Sequence, residues 1–457
     1  MSPGRAGGQA VGTEPLGLYI HVPFCASLCG YCHFTRGVSD PDLERRYVDA
    51  VVREIGNAPR IAGLKARATS AKPFDTQPAR ERRARTGSAR RATFPEPGAD
   101  EPGHDRRLGG RRASAGLERG ARRATSAADT IYFGGGTPSL LAPADIAAMI
   151  RACHDAFDVA PGAEITLEAN PDTVSEDRLA GYREAGVNRL SFGVQSFRDQ
   201  DLARLGRRHD AARARSAFRE ARAAGFDNIS LDLMLGLPGQ ARADARASVE
   251  DLIALEPEHA SVYLLELYPG TRLGDALAGR EAEQVADDEA ADMYLETMAR
   301  LESAGLEQYE ISNVARPGRR SRHNLKYWTD GEWVGFGCGA HSTLGAERWN
   351  NTESVPEYVA RMERGASPES ARRRMSRREQ LEEALFMALR LSDGVQFDRV
   401  RSRYGVDLWQ EWGERLTPFV EAGLLQRDDH GLRLTREGML LASSVMTTFL
   451  EAGSTVK

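Results

Sequence analysis

The run Tyr19-Ile20-His21-Val22-Pro23-Phe24-Cys25-Ala26-Ser27-Leu28-Cys29-Gly30-Tyr31-Cys32-His33-Phe34 holds three of the chain's five cysteines, spaced C-x3-C-x2-C. Three thiolates this close together can close on one metal centre without a long loop. A four-iron, four-sulfur cluster usually takes four thiolates; three leave one iron open to bind and activate a small molecule. The competing readings are a cysteine-rich turn and a zinc site. Structural zinc takes four ligands, commonly from C-x2-4-C pairs. The sequence has no second pair, although His33 could act as a fourth ligand. The ligand count favours an iron–sulfur cluster on Cys25, Cys29 and Cys32.

Outward from this run, Leu16 to Phe24 alternates as a strand does, and residues 41–56 place Leu43, Tyr47, Val51 and Ile55 at helical spacing. Residues 1–15 are expected to be disordered; their first thirteen are Gly-rich and lack the apolar core of a signal peptide. Residues 59–127 are expected to be a disordered basic insertion. Residues 60–126 hold 17 Lys and Arg against 7 Asp and Glu, which leaves −15 on the rest of a chain of net −5. Such a segment cannot bury enough apolar surface to offset its ordering entropy. It also lacks the interleaved aromatics of a single-strand binder, so nucleic acid is not the expected partner.

Beyond it, strand-like runs at 130–133, 164–168, 189–194, 228–234 and 260–267 alternate with amphipathic stretches near 143–157, 175–185, 210–224, 241–255 and 287–304. This beat means parallel strands with right-handed crossovers. With the first strand there are six βα units, too few for a closed eight-unit barrel. The expected fold is α/β: a partial, open (β/α)6 barrel over 16–310, with chemistry at the C-terminal ends of its strands. Residues 311–375 are expected to connect it to a C-terminal helical, winged-helix-like domain over 376–457, with a hairpin near Asp429–Gly431.

The C-x3-C-x2-C spacing with an aromatic before the last cysteine resembles the radical S-adenosylmethionine (SAM) superfamily. The wider run resembles the subfamily of oxygen-independent coproporphyrinogen III oxidase and the HemW-type heme chaperones. The resemblance implies a [4Fe-4S] cluster whose open iron chelates SAM, and reductive cleavage of SAM to a deoxyadenosyl radical. It also implies a SAM site of Tyr19, Gly135, Gly136 and Thr137 of the Gly134-Gly135-Gly136-Thr137-Pro138 run, Glu168, Gln195, Arg207 and Asp232. Read from the residues alone, a glycine run lets a backbone approach a ligand closely, and an acid ending a strand can accept ribose hydroxyls. Glu168 and Arg207 could equally pair with each other at the barrel rim.

Two departures from the oxidases favour the chaperone branch. Phe34 stands where they carry a fourth cysteine, and only 24 residues precede Cys25. His323-Asn324-Leu325-Lys326-Tyr327-Trp328 resembles the chaperones' HNxxYW motif and implies His323 as a heme ligand, imidazole being a standard axial ligand. The alternative is a loop histidine packed against its aromatic neighbours. Cys153 is expected in a helix core, and Cys338 as a small buried residue among glycines or a reactive thiol. The implied partners are heme, a hemoprotein acceptor and an electron donor, with the chain a monomer or homodimer. The odd cysteine count and the lack of an 18-residue apolar run lead to the expectation of a reduced, cytoplasmic setting with no membrane span. The rival activity is oxidative decarboxylation of coproporphyrinogen III or another tetrapyrrole modification.

Overall fold

A computed structural model describes residues 14–27, 29–32, 37–38, 40–61, 127–280 and 284–450. His33, Phe34, most of the basic insertion and most of the disordered N-terminus expected from the sequence lie outside these residues.

Six parallel strands follow one another in chain order across a sheet: β1 Leu16–Val22, β2 Ala127–Gly135, β3 Asp158–Ala169, β4 Arg189–Gln195, β5 Ile229–Leu235 and β6 His259–Leu264. The connections carry helices Pro41–Ile61, Pro143–Ala156, Glu176–Glu184, Ala211–Ala223 and Arg242–Ala254, and Asp287–Ser303 follows β6. Local chemistry sets several helix starts. Ser175 and Asp210 each accept a backbone amide three residues on, and Pro143 sits at the first turn, where its missing amide costs nothing.

The 311–350 stretch does more than connect. β7 Trp333–Phe336 pairs in parallel with β1 on the side away from β2, giving seven parallel strands in this sheet among the described residues. Antiparallel strands extend both edges: His341–Leu344, Glu347–Asn351 and Glu369–Arg374 beyond β7, and Asn313–Ala315 and Glu307–Gln308 beyond β6. The short four-residue β7 has little alternation to reveal it in sequence, and it joins the sheet only through long-range pairing.

The strand sequences sort their side chains by parity. Leu16, Leu18, Ile20, Val22, Ile131, Phe133, Ile165, Leu167, Leu190 and Phe192 are buried in one large apolar cluster with helix residues such as Met149, Leu179 and Phe218. Successive strand side chains point to opposite faces, so the other parity lines the lumen: Tyr19 and His21, Tyr132, Glu168, Arg189 and Ser191, Asp232, and His259 and Ser261. A closed eight-strand barrel fills its interior with branched aliphatics; this lumen is aromatic, polar and charged. That makes it a place to hold a ligand.

A second apolar cluster lies C-terminal. Helices Arg377–Ala388, Phe397–Tyr404 and Leu408–Glu421 pack Leu381, Leu385, Val400, Trp412 and Leu416 against a three-stranded sheet of Val395–Gln396, Gly431–Leu434 and Leu425–Arg427. The hairpin turn is tied by the Asp428 carboxylate, which accepts the His430 and Gly431 amides. Among the described residues, no helix is long and apolar enough to cross a membrane.

Candidate functional site

The C-terminal ends of the strands carry the cysteine loop. Val22 ends β1, and Phe24–Cys25 follow directly. The glycine run ending β2 packs against that loop. The Gly136 amide donates to the Val22 carbonyl and the Thr137 amide to the Phe24 carbonyl, both at 2.7 Å. A Cβ on Gly136 would meet the Phe24 carbonyl oxygen at 2.6 Å, and Gly135 has φ +116° with the His21 ring 2.5 Å from where its Cβ would be. The glycines therefore bring two strand ends together. Three successive amides, those of Gly135, Gly136 and Thr137, are thus engaged inside the protein, since Gly135 donates to Glu168 Oε2 at 3.1 Å.

Glu168 closes β3 facing the lumen. Its Oε1 accepts the Tyr132 hydroxyl at 2.8 Å. Burial pushes its carboxyl up to about 7, and the neighbouring Asp232 pushes the same way against the Tyr132 and Gly135 bonds. Asp232 on β5, bonded by the Ser191 hydroxyl at 3.2 Å, is raised by burial to about 6. Gln195 ends β4 with φ 72°, a left-handed turn that is unusual for a residue other than glycine. Its side chain lies beside Gly193, where a Cβ would sit 3.0 Å from Gln195 Nε2 and 3.5 Å from Arg207 Nη2.

Arg207 does not pair with Glu168. After helix Asp199–Leu205, Gly206 turns the chain in a left-handed conformation, and Arg207 enters the strand ends. Its Nη2 donates to the Gly193 carbonyl at 2.7 Å and to Asn170 Oδ1 at 2.5 Å; its Nη1 donates to Cys29 Sγ and the Tyr31 hydroxyl, both at 3.5 Å. Burial raises the Tyr31 phenol to about 12. Thr137 Oγ1 donates to Cys25 Sγ at 3.8 Å. Two of the three loop sulfurs thus face hydrogen-bond donors, which suits thiolates and fits a cluster. Among the described residues, no three His, Cys, Asp or Glu side chains gather around one point that could hold a single metal ion.

Cys25, Cys29, Gly135, Gly136, Thr137, Glu168, Gln195, Arg207 and Asp232 are therefore drawn to one end of the lumen. Tyr19 lies deeper, its ring stacked 6.2 Å from Tyr132 and its hydroxyl 3.0 Å from His21 Nδ1. Asn170, Ser191 and His21 escaped sequence reasoning. Asn170 was findable: it stands two residues beyond Glu168, in the same lumen-facing phase.

His323 is at the other end. Helix Arg322–Trp328 plugs the N-terminal mouth of the barrel, its first amides capped by Glu164. His323 Nδ1 bonds Thr130 Oγ1 at 2.8 Å and its Nε2 bonds the Tyr327 hydroxyl at 2.9 Å. Its ring stacks on Tyr132 at 5.0 Å. Thr130 pairs with Gly17, five residues below the Val22–Gly135 pair, so this level is about 16 Å from the cysteine loop at strand rise. Burial lowers the imidazole to about 3, helped by Lys326 and Arg189. His323 is thus a fully buried residue at the floor of the lumen, with both ring nitrogens engaged by hydroxyls of the protein.

Cys338 is buried and its thiol raised to about 12, and Cys153 is likewise buried with its thiol raised by burial. Both behave as small core residues.

This architecture is that of a radical SAM domain joined to a smaller C-terminal domain. The radical SAM superfamily model matches residues 102–252, and the HemN C-terminal domain model matches residues 375–441. The solved structure of coproporphyrinogen III oxidase (HemN) from Escherichia coli superposes with a TM-score of 0.72 at 21% identity, covering 96% of this chain and 90% of that one. The heme chaperone HemW of Bacillus subtilis is 32% identical over 94% of this chain and 98% of its own length. That of Mycobacterium tuberculosis is also 32% identical, over 96% and 95%. The chain belongs to the heme chaperone HemW family.

Proposed function

We propose that this protein is a heme chaperone that carries a [4Fe-4S] cluster and SAM, binds heme, and delivers it to a hemoprotein acceptor. The observation that carries the reading is the 32% identity to a heme chaperone across nearly the full length of both chains. Cys25, Cys29 and Cys32 are the proposed cluster ligands. Tyr19, Gly135, Gly136, Thr137, Glu168, Gln195, Arg207 and Asp232 are the proposed SAM contacts. When bound, the cluster supplies one-electron reduction, so an electron donor is a further proposed partner.

The chain's own residues divide the remaining work. Arg207 and Thr137 hold donors toward the Cys29 and Cys25 sulfurs. Each Glu168 oxygen accepts one bond and keeps a second lone pair for a ligand hydroxyl. With carboxyls raised by burial to about 7 and about 6, Glu168 and Asp232 can hold a proton near neutrality, which lets them sit close together inside the lumen. The glycine run contributes close approach and Gly135 fixes the Glu168 carboxylate.

The test loads the anaerobically reconstituted protein with heme and mixes it with an apo-hemoprotein. Heme should leave for the acceptor, followed by the shift of the Soret band. In parallel, coproporphyrinogen III with SAM and reductant should give no protoporphyrinogen. Turnover of coproporphyrinogen without heme transfer would overturn the reading in favour of the oxidase.

A further inference from the structure

Arg207 can only donate hydrogen bonds, and that fixes the polarity of the chain of groups beside it. Its Nη2 lies 2.5 Å from an Asn170 side-chain atom, which must therefore be the amide oxygen. The Asn170 Nδ2 is then turned to Thr137 Oγ1, 3.1 Å away. A hydroxyl that accepts from an amide keeps its single proton for another partner, and the partner in reach is Cys25 Sγ at 3.8 Å. The Asn170 backbone is held in place by its amide on Ser139 Oγ at 3.2 Å and by Thr173 Oγ1 on its carbonyl at 2.9 Å.

We propose that Asn170 is a positioning residue: it relays the obligate donor polarity of Arg207 through Thr137 to the Cys25 sulfur, while Arg207 serves the Cys29 sulfur directly. One guanidinium thereby orients a donor at each of two cysteines that come from the same loop. The proposal rests on the reading of Cys25, Cys29 and Cys32 as cluster ligands. Hydrogen bonds to the sulfurs of a cluster favour its more negative, reduced form, and so raise its reduction potential. Asn170 would set that potential without touching the cluster.

Aspartate at this position accepts from both neighbours and would turn the Thr137 proton away from Cys25. It also adds a charge, so the single substitution does not isolate the relay; a double-substitution cycle does. The cluster's reduction potential is measured without SAM in the reconstituted wild type, Asn170→Asp, Thr137→Val, the double variant and Thr137→Ser. Thr137→Val should shift the potential negative, and Thr137→Ser should keep the wild-type value. Asn170→Asp should shift it further in the wild-type background than in the Thr137→Val background. Equal shifts in both backgrounds, with iron and sulfide contents unchanged, would overturn the relay and leave the cluster reading intact. Failure of Asn170→Asp to load while Thr137→Val loads would also overturn it, since Asn170 would then be holding the loop together. Absence of iron and sulfide in the wild type would instead sink the cluster reading itself.

Discussion

The two ends of one lumen treat their polar side chains in opposite ways. At the C-terminal end, Arg207 and Thr137 spend donors on sulfurs, and Glu168 and Asp232 keep acceptor capacity facing the cavity. At the N-terminal end, His323 is closed by Thr130 and Tyr327, and Lys326 by the Pro15 carbonyl and the Asp129 carboxylate. A motif rich in His, Tyr and Trp invites a ligand-binding reading in sequence. Here its His323 and Lys326 are bonded within the fold, and the two ends differ in how much hydrogen-bonding capacity is left over after folding.

Replacing floor residues should therefore cost stability, not cofactor. His323→Ala removes a fully buried ring and strands two hydroxyls, and should lower unfolding free energy by about 3 kcal/mol. Chemical denaturation checks this. The same variant should bind heme with an unchanged Soret band, and a changed band with little loss of stability would make His323 a ligand after all. Thr130→Val should cost about 1–2 kcal/mol, because it leaves one buried imidazole nitrogen without a partner.

The two ends should also respond to pH with opposite sign. His323 is lowered from 6.5 to about 3, so the fold favours the neutral ring. Its contribution is complete above pH 6.5 and is lost as pH falls toward 3. Glu168 is raised from 4.5 to about 7, so the fold favours the protonated acid. Its contribution is complete below pH 4.5 and is lost as pH rises through 7. Stability profiles of His323→Ala should be flatter than wild type on the acid side, and those of Glu168→Gln flatter between pH 4.5 and 8. Matching slopes in wild type and variant would remove that residue from the account. The smallest effect is at Cys338: buried, with its thiol pushed to about 12, it should resist alkylation in the native protein and react only on unfolding.

Much of this was legible before any coordinates. Alternation in Leu16–Val22 and the strand–helix beat carry the barrel, because apolar parity and crossover handedness are local properties. The positions at successive strand ends follow from the same topology. What stayed hidden depends on long-range contact. β7 is recruited by pairing with β1 across more than three hundred residues of chain. The Gly135, Gly136 and Thr137 amides turn inward because Glu168, Val22 and Phe24 supply acceptors that spacing alone does not reveal. The depth of His323 was not legible because a motif names residue types and says nothing of depth.

The central claim is that the loop at the C-terminal end is built around an iron–sulfur cluster. Iron and acid-labile sulfide per chain, measured after anaerobic reconstitution of the wild type and of the Cys25→Ala/Cys29→Ala/Cys32→Ala variant, test it most directly. The account predicts about four of each in the wild type and none in the variant. A wild type without iron and sulfide, or a variant that loads as fully, would contradict it.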